Sequence, residues 1–220
     1  MSDTIVLPDT PQELLFCAED LPVLTGHITL PTRPGRNGRF NRYYQACAQA
    51  FDRCCRREVL PRAESAYYRA VEESGALPQW EAELRCRVTL QTDQLLSLCS
   101  DTVVSGLSQP MALRRGDTWD LRRELLISLS DCFPPRAPWR QLLVQCAAAQ
   151  IEAWEAQGIA RYHDGWPQLL RRAYRPQDFY LTGEGLCFFY ALGAIAPAVE
   201  GLPTFCLPYN EETGPLIPQV

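Results

Sequence analysis

The run Asp178-Phe179-Tyr180-Leu181-Thr182-Gly183-Glu184-Gly185-Leu186-Cys187-Phe188-Phe189-Tyr190 constrains this chain more than any other. Residues 179–182 and 186–192 are rich in aromatic and bulky apolar side chains, and Gly183-Glu184-Gly185 stands between them. Such a pattern predicts a β-hairpin, with a three-residue connection in which glycine supplies positive φ. Side chains alternate along a strand, so Leu186, Phe188 and Tyr190 face one way and Cys187, Phe189 and Ala191 the other. Both sets are apolar, so the strand should be covered on both faces. A third strand is expected at 204–207, after the turn signal Gly201-Leu202-Pro203. Pro208 should cap it, because proline has no N–H to give an interior ladder.

Upstream, residues 1–20 mix prolines and acids and read as an arm or edge segment. Residues 23–32 read as a strand running into the loop Arg33-Pro34-Gly35-Arg36-Asn37-Gly38. From Arg39, the residues Phe40, Tyr44, Cys47, Phe51 and Cys54 recur at helical spacing. Pro61 should kink or break that helix, and a second helical stretch covers 64–73 before Ser74-Gly75. The period then changes to two. Over 80–91, Glu81, Glu83, Arg85 and Arg87 alternate with Ala82, Leu84, Cys86 and Val88. Strands at 95–104, 109–113 and 118–121, with Arg114-Arg115-Gly116-Asp117 as a turn, complete an antiparallel meander with one wet face. A helix over 139–157 has Leu142, Leu143, Cys146, Ala149, Gln150, Ala153 and Trp154 on its apolar side. A short helix over 166–174, with Pro167 in its first turn, leads into the hairpin. The expected class is α+β: an antiparallel sheet, meander plus C-terminal hairpin, packed by two main helices. Residues 1–133 form its N-terminal part and 134–220 its C-terminal part, in one compact unit with a lobe boundary at 134–138.

All 21 basic residues are arginine, and the net charge of −5 argues against a nucleic-acid partner. Residues 33–62 nevertheless hold eight arginines against Asp52 and Glu58. A solvated helix face explains such a run before a polyanion-binding patch does. The start Met1-Ser2-Asp3-Thr4-Ile5 shows neither the basic nor the apolar region of a signal peptide. No window approaches the ~18 apolar residues of a membrane span. A cytoplasmic protein without a membrane span is therefore expected. Ten cysteines lie mostly at apolar positions with no C-x-x-C, and read as small reduced hydrophobes rather than a disulfide framework.

Catalytic constellations are sparse. His163-Asp164 has no nucleophile beside it and suits a loop or cap role. His27 and His163 with scattered cysteines lack zinc spacing, and Ser105-Gly106-Leu107-Ser108 is no nucleophile elbow. Neither a P-loop nor G-x-G-x-x-G occurs, so no cofactor or metal is expected. Asp178, Glu184 and Glu200 near the hairpin are the carboxylates a glycan hydrolase would draw on, although turn acids usually serve local N–H groups. Arg115-Gly116-Asp117 spells an adhesion tripeptide that a hairpin tip explains equally well. Tyr180, Tyr190 and Tyr209, with Trp119, serve either a recognition surface or core packing. The loop 193–202, apolar and marked by Pro and Gly, is the best partner-docking segment.

Phe179-Tyr180-Leu181-Thr182, Glu184-Gly185-Leu186, Phe188-Phe189-Tyr190, Ile195-Ala196-Pro197, Gly201 and Pro208-Tyr209 together resemble a bacterial domain family largely of unknown function. That family includes the outer domain of the lysozyme-sensing anti-sigma factor RsiV and the accessory domain of the peptidoglycan deacetylase PdaC. Asp117-Thr118-Trp119-Asp120-Leu121 and Leu129-Ser130-Asp131-Cys132-Phe133 resemble its upstream strand and following segment. The resemblance implies a non-enzymatic binding or sensing domain of the cell-envelope stress type, recognising a protein or a cell-wall glycan. Relatives of this kind are mostly extracytoplasmic. Candidate partner-binding residues are Tyr180, Glu184, Tyr190, Ile195, Pro197, Glu200 and Tyr209. Two other readings stand beside it: a cytosolic interaction or scaffold protein, and a hydrolase acting on wall glycans.

Overall fold

A computed structural model describes residues 5–35, 38–106 and 111–218. Met1 to Thr4, Arg36 and Asn37 of the expected loop, and Leu107 to Pro110, which include the start of the expected strand 109–113, lie outside the described residues. The fold is α+β. Strands β1 (Gln12–Ala18), β2 (Leu21–Thr29), β3 (Trp80–Gln91), β4 (Leu95–Ser105), β5 (Met111–Asp120) and β6 (Leu125–Leu126) form one six-stranded sheet in that order. Strands β7 (Phe179–Leu181), β8 (Gly185–Phe189) and β9 (Thr204–Pro208) form a three-stranded antiparallel sheet. The chain divides into two compact units, Met1–Cys86 with Asp101–Met111, and Arg87–Ser100 with Ala112–Val220. The division falls inside long strands.

In the first unit β1 and β2 are antiparallel, whereas β2 and β3 run parallel. Parallel neighbours need a long crossover, and here it passes through α1 (Arg39–Cys54), a π-helical turn (Cys55–Val59) and α2 (Leu60–Glu72). The six-stranded sheet is therefore mixed at the β2–β3 pair. Helix α1 buries Phe40, Tyr44 and Phe51 and leaves Arg53 exposed. Arg56 of the π turn pairs with Asp52 at 3.0 Å and lies 5.0 Å above the Phe16 ring. Pro61 does not break the helix. It stands in the first turn of α2 directly after the π turn, the irregularity at which the otherwise continuous helical run changes its bonding pattern.

The second unit is built around β8. Leu186, Phe188 and Tyr190 face helix α3 (Trp139–Ala156), joining its Leu143, Ala147 and Ile151 and Phe205 of β9. The Trp154 ring stacks on Phe205 at 5.6 Å and 16°. On the opposite face Cys187 and Phe189 pack with Tyr180 and Cys99. Every residue of β8 is buried, as the two apolar faces required. Helix α4 (Trp166–Arg172), opened by Gly165 in the left-handed region at φ 80° and by Pro167, buries Leu170.

Four local expectations fail. Arg114 to Asp117 is no turn and no loop tip: it continues β5, and Asp117 is buried. Gly116 is required there for closeness, because a Cβ would collide with the Phe179 carbonyl of β7. The meander has no wet face over residues 95–100, all of which are buried. Finally, the hairpin closes on a two-residue loop, with Thr182 N–H donating to the Gly185 carbonyl at 2.9 Å. Neither Gly183 nor Gly185 has positive φ. Gly185 is needed because β9 passes close, a Cβ there striking the Leu207 carbonyl. On α3, Ala149 and Ala153 are exposed, the buried stripe running instead through Leu143, Ala147 and Ile151.

Candidate functional site

Of the residues singled out in the sequence, Tyr180 at 7% exposure and Tyr190 and Ile195 at 0% are enclosed in the second unit. The Tyr190 hydroxyl donates to the Leu170 carbonyl at 3.0 Å. The half-buried Tyr209 hydroxyl donates to the Thr182 carbonyl at 2.8 Å, behind the hairpin turn. Their phenols are pushed up by burial, which suits packing groups with one satisfied polar end. Glu184 is exposed at the hairpin tip, and the Thr182 hydroxyl accepts its N–H at 3.3 Å and the Gly185 N–H at 3.2 Å.

Pro197 and Glu200 belong to the loop between β8 and β9. Its base is closed by the Tyr190 N–H donating to the Pro203 carbonyl at 2.9 Å. Ile195 and Ala196 are plugged into the core. His163 holds the loop from outside: its N–H donates to the Ile195 carbonyl at 3.0 Å, and Nε2 meets the Gly193 carbonyl at 3.1 Å. A carbonyl only accepts, so Nε2 carries the proton. Anchored in this way, the loop leaves Val199 87% exposed beside the exposed Glu200. Glu200 and Glu155 both act on the Tyr162 hydroxyl, which burial first and these carboxylates second push up to about 12.

A second feature emerges only in three dimensions. Helices α3 and α4 enclose a groove of about 470 Å³ lined by Arg140, Gln141, Val144, Gln145, Arg171 and Tyr174. That volume is of the size that takes small molecules. Its lining contains two guanidinium groups, two amides and no carboxylate. Arg140 is held 4.4 Å above the Trp139 ring, which restricts its rotamers before any ligand arrives. The Tyr174 ring packs beside Trp139 at 6.2 Å, and its buried hydroxyl has no partner among the described residues. Burial, then Tyr190 and Asp178, push that phenol up, while Arg140 opposes them. Asp178 itself is pushed up by burial, with Arg175 opposing. Sequence reading missed this groove. Gln141 and Gln145, like Arg140 and Val144, are four residues apart on α3, but nothing in their pattern tells that α4 will face them.

Among the described residues no group of His, Cys, Asp and Glu could hold a metal ion, and no helix is long and apolar enough to cross a membrane. All ten cysteines are free thiols. Cys146 donates to the Cys206 carbonyl at 3.4 Å, and Gln150 Nε2 donates to that same carbonyl at 2.9 Å.

These elements define an α+β domain whose three-stranded sheet and pair of helices carry both exposed features, the loop and the groove. Residues 130–210 match the model of a family described as a protein of unknown function, DUF3298. The matched segment contains α3, α4, the three-stranded sheet and the loop, and its description names no ligand and no activity. The chain is similar to a solved DUF3298 family member from Bacteroides fragilis, with a TM-score of 0.63 and 17% identity over 94% of this chain and 90% of that one. It is also similar to a DUF3298 family protein from Pseudomonas aeruginosa, with a TM-score of 0.57 and 20% identity over 94% and 91%. At such identities the likeness is one of fold. No curated protein matches.

Proposed function

We propose that this chain is a non-enzymatic binding domain whose groove between α3 and α4 takes an acidic cell-wall glycan. The groove lining carries the reading: Arg140 and Arg171 converge without a carboxylate in the lining. A guanidinium pairs with a sugar or peptide carboxylate through two parallel hydrogen bonds. Gln141 and Gln145 offer donors and acceptors to hydroxyls, and Val144 and Tyr174 offer an apolar surface to a sugar face. The resemblance of the hairpin segment to wall-sensing domains supports the choice of a wall polymer among acidic ligands.

The test is co-sedimentation of the purified chain with peptidoglycan sacculi. Binding should fall at least tenfold when Arg140 and Arg171 are both changed to Glu, and should weaken with salt, as surface ion pairs do. A chain that stays in the supernatant at low salt would remove the glycan. The reading also needs the protein to meet the wall. Protection from protease in intact source cells would rule that out.

The exposed Val199, held on an anchored loop, favours a second reading in which a protein docks on residues 193–202. Val199→Asp should then abolish the contact while the arginine double variant leaves it intact. The hydrolase reading has least support, since the His163 ring is engaged by the Gly193 carbonyl.

A further inference from the structure

In the β8–β9 pair Cys187 stands directly opposite Cys206. The ladder's parity says what kind of opposition this is. Tyr190 N–H donates to the Pro203 carbonyl, so the pair 190/203 is hydrogen-bonded. Hydrogen-bonded and non-hydrogen-bonded pairs alternate along an antiparallel ladder. Counting back, 188/205 is hydrogen-bonded and 187/206 is not. Non-hydrogen-bonded pairs bring their Cα atoms to roughly 4.5 Å with the side chains leaning together, within the roughly 4.4–6.8 Å that a disulfide spans. Opposite residues also share a face, so the Cys187 and Cys206 side chains lie on the same side of the sheet. Cys146 approaches the Cys206 backbone from α3, on the other face.

We propose that Cys187 and Cys206 are a cross-strand disulfide site, closed by hydrogen peroxide or another hydroperoxide. Cys206 is half-buried and Cys187 buried, so the oxidant meets Cys206 first. Peroxide oxygen adds to the Cys206 sulfur, giving the sulfenic acid and one water. The Cys187 sulfur then attacks the Cys206 sulfur, and the Cys187 proton leaves with the sulfenic hydroxyl as a second water. Two thiols give up two electrons and two protons, and one hydrogen peroxide becomes two waters. The new bond staples the base of the loop that carries Val199. This inference rests on strand pairing and is independent of the groove and its ligand.

The test treats the full chain with hydrogen peroxide, blocks remaining thiols and digests without reductant. Cleavage after Glu184, Glu200 and Glu211 places Cys187 and Cys206 on separate peptides. The expected product is those two peptides linked, lost on reduction and absent from Cys187→Ser and Cys206→Ser. It should persist in Cys146→Ser and Cys99→Ser. Oxidation of the exposed Cys17 serves as proof that the oxidant acted. If Cys17 is oxidised and no 187–206 link forms, or if Cys206 pairs with Cys146, the proposal fails.

Discussion

The Ser97 hydroxyl, fully buried on β4, accepts the Leu181 N–H at 2.8 Å and shares a hydrogen bond with Thr118 Oγ1 at 2.9 Å. A strand of the three-stranded sheet is thereby tied to two strands of the larger one by a single side chain. Removing that oxygen leaves a buried backbone N–H without its acceptor, which costs about 1–3 kcal/mol. Ser97→Ala should lower the unfolding free energy by that amount, read as a lower urea midpoint with an unchanged m-value. An unchanged midpoint would mean that water replaces the hydroxyl. In the sequence Ser97 looks like a wet-face serine of an alternating strand. The structure buries it because a second sheet covers that face, a contact 84 residues away along the chain.

At the scale of elements, sequence and structure part company at residues 114–117. Two arginines, a glycine and an aspartate are ordinary turn residues, and no local signal contradicts that reading. Their strand conformation comes from outside, from the β7 backbone that runs against Gly116. Gly116→Ala should therefore cost about 3 kcal/mol or more, a value reserved for steric conflicts that the backbone must absorb. Gly183 at the hairpin tip has open space around its missing Cβ and no positive φ. Gly183→Ala should change stability by less than about 0.5 kcal/mol or raise it slightly. Thermal denaturation of the two variants side by side checks both. Equal effects would show that β7 does not press on β5. Elements with strong periodicity were legible in the sequence: β3 runs over residues 80–91, and Glu81, Glu83 and Arg85 are exposed between buried Trp80, Ala82, Leu84 and Cys86.

At the scale of the whole molecule, aromatic burial sets a pH limit. Burial pushes the Tyr162 phenol up to about 12 and raises Tyr174, Tyr190 and Tyr209 as well. The unfolded chain ionises its tyrosines near pH ~10. A group whose folded value lies above its unfolded value stabilises fully below the unfolded one and loses that contribution as pH rises past it. Stability should thus be flat up to about pH 10 and fall between about 10 and 12. Phenolate absorbance should rise in two phases, exposed tyrosines first and the buried group together with loss of far-UV dichroism. A single phase with ordinary ionisation, before any unfolding, would show that the rings are not buried.

By itself the sequence determined the α+β class, the hairpin with two apolar faces, the main helices and the placing of thiols at apolar positions. Those features follow from local period, glycine and proline chemistry and composition, which act over a few residues. Tertiary structure alone decided which tyrosines are enclosed, that β2 and β3 run parallel, and that residues 114–117 are strand. It also brought Arg140 to Arg171 across a groove and set Cys187 opposite Cys206. Each of these depends on segments distant in the chain. Their register is fixed by burying apolar faces and satisfying backbone groups together, and no local pattern records that outcome.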